Sequence, residues 1–370
     1  MWVLRPTAMA VWRNKQVRRR LDWYYNVMTN AKPAKFMMCK KVPAYYGPGD
    51  GEGELWKEHE RLVRKFRELY ASVVKGEIRL EKLQTPEKSF LDLKAEIARR
   101  ILKHCHLCER GCGGDRTGGG RGFCRLDDKA RVSTWFHHFG EEPPLVGDGG
   151  SGTIFFTSCT FSCAACQNYD ISTSPENGNV VDAHALSNIM RSLRAQGASN
   201  INVVGGEPTM HAAVIVEALR YLDSNVPFLW NSNMYCSLEL MGILSDIVDI
   251  WLPDFKYGND DCAKRISNAK GYFSIVTRNH LIASSNGDII VRHLVLPNHL
   301  ECCTKPVLEW ISKNIGDHAL VNVMQQYRPE NLVARYPDRY PDIARRLRDE
   351  EIERAYGYAR KFGLIFEPVS

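Results

Sequence analysis

Residues 151–166 read SGTIFFTSCTFSCAAC, a short run rich in β-branched and aromatic residues that gives way to three cysteines, Cys159, Cys163 and Cys166, within eight positions. Such a run, bounded by glycine and polar residues, has the length and composition of a buried strand. The same kind of run returns downstream as INVVGG (201–206), VPFLWNS (226–232), IVDIWLPDF (247–255), DIIVRHLVLP (288–297) and ALVNVMQQY (319–327). Amphipathic stretches lie between several of them, among them DAHALSNIMRSLRAQ, HAAVIVEALRYLD, SLELMGILSD and CTKPVLEWISKNI, each long enough to be a crossover helix. Six strands joined by crossovers predict an α/β protein with a parallel sheet. Periodicity by itself leaves open a partial barrel, a full barrel or an open doubly wound sheet. In a barrel, function gathers on the loops that leave the C-terminal strand ends, and the three cysteines follow the first strand there.

The chain has 370 residues, 44% hydrophobic and 25% charged, an ordinary globular composition long enough for a sizeable core. No apolar run approaches a membrane span, and no signal segment opens the chain. A cytoplasmic protein without a membrane partner is expected, its twelve cysteines kept reduced. The net charge of +6 is concentrated at one end: residues 1–49 hold ten basic residues and the single acid Asp22. Residues 1–50 therefore read as a basic arm with Trp2, Trp12, Trp23, Tyr24 and Tyr25 among arginines, closed by YYGPGDGEG. Residues 51–103 read as a helical extension, 104–150 as a cysteine-rich metal-binding segment, 151–330 as the core and 331–370 as a C-terminal helical segment.

Three thiols at this spacing allow one loop to wrap a compact centre. A structural zinc ion takes four protein ligands. An iron–sulfur cube has four irons, so three cysteines leave one iron open to a small molecule. The alternatives are three cysteines packed as small hydrophobes, or zinc completed by a distant ligand. Upstream, CHLCERGCGGDRTGGGRGFC offers Cys105, Cys108, Cys112 and Cys124, a closed four-thiolate set suited to zinc or to an auxiliary iron–sulfur cluster. Cys39, Cys236, Cys262, Cys302 and Cys303 are scattered, and the vicinal pair Cys302 and Cys303 reads as structural at a helix start.

SGTIFFTSCTFSCAACQNYDIS followed by VVGGEPTMH resembles the radical S-adenosylmethionine superfamily. HHFGEEPPLVGDGGSGTIFF, CQN, DFKYG and QQYRPE are similar to the branch related to pyruvate formate-lyase activating enzymes, from about Cys105 onward. The resemblance implies a partial (β/α)6 TIM-like barrel, a [4Fe–4S] cluster on Cys159, Cys163 and Cys166, and S-adenosylmethionine chelating the open iron. Reductive cleavage would then give a 5′-deoxyadenosyl radical that takes hydrogen from a substrate. It also implies an electron donor of flavodoxin or ferredoxin type and, by likeness to activating enzymes, a protein or peptide substrate. Ala165 stands where family members often have an aromatic residue.

The cosubstrate contacts can be judged chemically. Gly205, Gly206 and Glu207 follow the second strand; the glycines permit close backbone approach, and carbonyls with Glu207 suit an ammonium group. Asn231 and Asn233, in NSN where activating enzymes often show Asp-Thr-Asn, are further candidates, and Asn231 lacks the acid's charge. Asp254 and Lys256 project from one face of the fourth strand; the resemblance assigns them the ribose and the methionyl carboxylate, against the alternative of a surface ion pair. Arg292, inside the fifth strand, needs an anion, either the cosubstrate carboxylate or a barrel-closing carboxylate. His293 faces the other way as a satisfied core histidine, and Tyr327 is a candidate on the substrate side. The basic arm would suit phosphate contacts and base stacking, which makes RNA modification an alternative function. A second alternative is a non-catalytic zinc-stabilised nucleic-acid-binding protein.

Overall fold

The computed structural model describes residues 6–370; Trp2 and Arg5 of the basic arm lie outside them. Eight strands form one sheet: β1 (Ala130–His138), β2 (Ser151–Phe156), β3 (Asn179–Val181), β4 (Ile201–Gly205), β5 (Phe228–Ser232), β6 (Ile250–Pro253), β7 (Asp288–Leu294) and β8 (Ala319–Met324). Their spatial order is β3-β1-β2-β4-β5-β6-β7-β8. The six strands from β2 to β8, without β3, are parallel to their neighbours, as the repeating strand and helix runs predict. β8 ends the order instead of pairing with β2, so the architecture is a partial (β/α)6 barrel. The periodicity misses β1 and β3, which add antiparallel to β2 and to each other. β1 has no regular in-and-out alternation because much of it is exposed, and β3 is only three residues long.

Inward-facing residues alternate along each strand and divide the interior into two layers. Leu229, Ile250, Leu252, Ile290 and Leu320 make an apolar floor. Two residues further on, the same faces carry Asn231, Asp254, Arg292 and Asn322, which line a cleft at the C-terminal strand ends. The floor is completed by the N-terminal segment, since Val11, Val17, Leu21 and Tyr24 belong to the same apolar cluster.

Two of the arm's aromatic residues, Trp23 and Tyr24, are therefore used inside the protein. Trp23 Nε1 donates to Asp249 Oδ1 at 2.8 Å, the Tyr24 hydroxyl accepts from Asn200 Nδ2 at 2.8 Å, and both rings are buried. Arg18 stacks over Tyr25 at 3.6 Å, and Lys35 and Lys40 donate to the carbonyls of Asn286 and Leu222. Basic residues that read as a nucleic-acid surface in the sequence are in part tethers of the arm to the rest of the protein.

Helix Phe90–Ile101 starts at a capping box in which Ser89 Oγ accepts from Asp92 N at 3.3 Å. It is fixed to the barrel by fully buried Lys94, which donates to Asp246 Oδ2 at 2.8 Å and the Ile243 carbonyl at 2.9 Å.

Candidate active site

The three-cysteine loop leaves β2 through Ser158, whose φ of 65° turns the chain sharply. The loop is held from several sides by backbone bonds. Ala164 N donates to the Ile266 carbonyl at 2.7 Å, Ser162 N to the Ser267 carbonyl at 3.2 Å, and Val333 N to the Ala164 carbonyl at 3.1 Å. Each thiol has a polar neighbour: Asn233 Nδ2 lies 3.6 Å from Cys159 Sγ, Ser267 Oγ 2.9 Å from Cys163 Sγ, and Ser172 Oγ 3.2 Å from Cys166 Sγ. Burial, then the neighbouring Cys163, pushes the Cys159 thiol well above its ordinary range. Burial and Cys166 do the same to Cys163. Without a cation, thiolates so placed oppose one another; positive iron centres reverse that repulsion, which is why the donor set fits a metal cluster.

All eleven predicted cluster and cosubstrate residues line one cleft of about 610 Å³. Beside the three cysteines are Gly205, Gly206 and Glu207 after β4, Asn231 and Asn233 at the end of β5, Asp254 and Lys256 after β6, and Arg292 of β7. The charged members form a chain. Asp254 accepts from Lys256 Nζ at 2.8 Å and from Arg292 Nε at 3.0 Å, and Arg292 Nη2 donates to Asn231 Oδ1 at 2.6 Å. Burial would raise the Asp254 carboxyl, but Arg292 and Lys256 outweigh it and hold it below the usual range. Asp254 thus sits between two cations, each with donors directed along the cleft wall. Asn231 Nδ2 is buried there without a partner, a donor that a ligand oxygen would satisfy.

The glycines have an additional reason to be glycine. A Cβ on Gly206 would lie 1.9 Å from the Ser158 carbonyl oxygen, and one on Gly205, at φ 113°, would lie 2.2 Å from both N and O of Phe156. They let β4 close against the cysteine loop. Glu207 is fixed in place: its carboxylate accepts from Thr209 Oγ1 at 2.6 Å, Ser232 Oγ at 2.7 Å and Asn233 N at 2.9 Å. Tyr327 lines the cleft while its hydroxyl donates to the Ile343 carbonyl at 2.7 Å. His293 contacts the Phe255 carbonyl at 2.8 Å and Thr304 Oγ1 at 3.0 Å in the core, away from the cleft.

The structure adds residues that sequence reading missed. Glu141 and Glu142, after β1, reach the cleft wall between β4 and β8: Asn202 Nδ2 donates to Glu141 Oε1 at 3.0 Å and Asn322 Nδ2 to Glu142 Oε1 at 2.7 Å. His138 Nδ1 stands 3.2 Å from Glu141 Oε1, and Arg292 Nη1 is 4.0 Å from Glu141 Oε2. Burial, opposed by Arg292 and reinforced by Glu141, raises the Glu142 carboxyl. Two adjacent acids in a motif already assigned to resemblance carry no spacing that would have announced them.

A profile of the radical SAM superfamily matches residues 153–311, the segment that carries the three-cysteine loop and most of the cleft. The chain belongs to the radical SAM superfamily. A curated relative, the uncharacterized protein MJ0674 of Methanocaldococcus jannaschii, is 42% identical over 351 residues, 93% of this chain and 98% of its own length. Among solved structures, Streptococcus suis SuiB bound to S-adenosylmethionine aligns with a TM-score of 0.43 at 13% identity, over 57% of this chain and 48% of SuiB. SuiB bound to precursor peptide SuiA aligns at 0.41 and 13%, over 56% and 44%. TYW1 with a lysine-pyruvate adduct aligns at 0.38 and 11%, over 56% of this chain and 73% of TYW1. This chain thus matches less than half the length of SuiB.

Outside the matched radical SAM segment, Cys105, Cys108, Cys112 and Cys124 line one small cavity that Thr160 of the three-cysteine loop also lines. Arg110 ties the two segments together, donating from Nε to the Thr160 carbonyl at 2.8 Å. Gly122 is required for the wrap, because a Cβ there would meet Cys112 Sγ at 2.7 Å.

Proposed function

We propose that this radical SAM protein cleaves S-adenosylmethionine reductively at a [4Fe–4S] cluster on Cys159, Cys163 and Cys166 and abstracts hydrogen from a protein or peptide, as an activating enzyme does. The observation that carries the reading is the convergence, in one cleft, of three thiols from a single loop with the Asp254, Lys256 and Arg292 charge chain and the unpartnered Asn231 amide. The bound cluster and cosubstrate would supply one-electron reduction and a carbon radical. The chain's own residues do the rest. Lys256 and Arg292 offer cationic contacts to a carboxylate, Asn231 Nδ2 donates to an oxygen, and Asn233 and Ser267 give hydrogen bonds that tune the thiolates. The apolar floor closes the cleft from below.

An open cleft flanked by exposed Phe136, stacked at 5.4 Å on cleft-lining Phe155, supports a polypeptide in preference to a small enclosed metabolite. RNA has weaker support, because Trp23 and Tyr24 of the basic arm are buried. At the upstream group, the four thiols around a small cavity adjoining Thr160 suit either an auxiliary cluster acting as an electron relay or a zinc brace.

The test is anaerobic reconstitution with iron and sulfide, then reduction in the presence of S-adenosylmethionine. The wild type is expected to release 5′-deoxyadenosine, and Cys163→Ala to release none while retaining its fold by circular dichroism. Equal product from both proteins refutes the proposal.

A further inference from the structure

Cys262 is forty residues from the vicinal pair Cys302 and Cys303 in the chain and close to it in space. Cys262 lies in the first turn of helix Asp260–Ser267, after β6. His299, Cys302 and Cys303 lie on the turn after β7, where Leu300–Thr304 forms a π-helical turn. Such turns are rare and concentrate at functional sites. Gly258 permits the approach, since a Cβ there would meet the Cys302 carbonyl oxygen at 2.7 Å. Asn259 Nδ2 donates to the same oxygen at 2.8 Å.

The side chains converge on one point. His299 Nδ1 is 3.5 Å from Cys262 Sγ, 3.2 Å from Cys302 Sγ and 3.8 Å from Cys303 Sγ. Cys302 Sγ is 3.9 Å from both Cys262 Sγ and Cys303 Sγ. Bonds of about 2.3 Å to sulfur and about 2.0 Å to nitrogen at tetrahedral angles separate two sulfurs by about 3.8 Å and sulfur from nitrogen by about 3.5 Å. The observed spacings are those of four ligands around one ion. Among the described residues, this is the set of cysteine, histidine and acidic groups whose ligating atoms all lie within 4.8 Å of one another.

A second, independent feature sits behind the histidine. His299 is 5% exposed, and its Nε2 lies 2.7 Å from Asp342 Oδ2, while Arg265 pairs with that carboxylate and stands 3.3 Å from Nε2. The nearer carboxylate holds the proton on Nε2, which leaves the Nδ1 lone pair aimed at the three sulfurs. A carboxylate behind a ligating histidine is the usual support of a zinc site.

The geometry points to a closed, mononuclear zinc site on Cys262, His299, Cys302 and Cys303, separate from both cysteine groups read from the sequence. Three thiolates and one imidazole in tetrahedral array select zinc among common divalent ions and leave no open position, so its role is structural. The ion fastens helix Asp260–Ser267 to the loop after β7. The other end of that helix supports the three-cysteine loop, through Ser267 Oγ to Cys163 Sγ at 2.9 Å and the Ile266 carbonyl to Ala164 N at 2.7 Å. The zinc therefore braces the loop from outside the cleft.

The experiment compares metal content of the anaerobically purified full chain with Cys262→Ser/Cys302→Ser and Asp342→Asn variants. The double variant is expected to lose one zinc per chain with iron and sulfide retained, and its zinc absorption edge to lose a component of three sulfurs and one nitrogen. Asp342→Asn keeps all four ligands; it is expected to bind zinc about 10- to 100-fold more weakly in chelator competition. Unchanged zinc in the double variant, loss of iron in place of zinc, or a disulfide between Cys262 and Cys302 in the freshly isolated protein overturns the assignment. The cleft chemistry is read separately, because 5′-deoxyadenosine formation depends on Cys159, Cys163 and Cys166 whether or not zinc is present.

Discussion

Gly206→Ala is the most direct test of how the barrel positions its cysteine loop. The added Cβ would sit 1.9 Å from the Ser158 carbonyl oxygen, where ordinary contact begins near 3.4 Å, so the two backbones must part by about 1.5 Å. Neither side yields easily. Gly206 N donates to the Phe156 carbonyl at 2.8 Å, and Ser158 N to the Ile171 carbonyl at 2.9 Å. Overpacking of this kind costs about 1–3 kcal/mol. The larger effect falls on chemistry, because Cys159 is the next residue along the displaced strand end, and a shift of about 1 Å in reacting groups costs roughly 100-fold. We expect Gly206→Ala to fold with a lower unfolding midpoint, to hold less iron and sulfide after reconstitution, and to form 5′-deoxyadenosine about 100-fold more slowly. Gly357→Ala is the control: its Cβ would have nothing within 4 Å, and a helical glycine gains from the change. Full iron content and undiminished cleavage in Gly206→Ala would refute the claim that glycine is needed for strand and loop contact.

Asp254→Asn removes the carboxylate between Lys256 and Arg292 and is expected to destabilise by about 3 kcal/mol at pH 7 by chemical denaturation, with weakened S-adenosylmethionine binding in equilibrium dialysis. Because Asp254 titrates below its ordinary range, its stabilisation is present above the ordinary aspartate pKa and is lost as pH falls through the depressed value, so the two proteins should converge in strong acid. Glu142→Gln has the opposite sign: burial raises that carboxyl, so the wild type is relieved at low pH and loses stability as pH rises through the raised value. The variant should match wild type near pH 4 and exceed it at pH 8, by about 1.4 kcal/mol for each pH unit of the elevation; an equal difference at both pH values would contradict the burial argument.

The six barrel strands and their crossovers are legible because a strand buried on both faces must be a nearly continuous apolar run, and each such run here is bounded by turn residues. Alternation carried just past β6 even places Asp254 and Lys256 on one face, and both line the cleft with Arg292 of β7. The three-cysteine loop is legible because its ligands are local, and local spacing survives in sequence. By contrast, the basic arm reads as a surface, although Tyr24 and Leu21 complete the barrel floor. Composition records charge and aromaticity but not the cavity a side chain fills.

The chain's own order carries the local part: strands, crossovers, a loop of three thiols and a second group of four cysteines. The meetings across the chain exist only once it is folded. Glu141 reaches Asn202, Glu142 reaches Asn322, and Cys262 meets His299, Cys302 and Cys303 beneath Asp342. The reason is physical. Ligands within one turn are placed by a few backbone dihedrals, whereas residues tens of positions apart are brought to hydrogen-bonding distance only by the closing of the sheet and the packing of helices upon it.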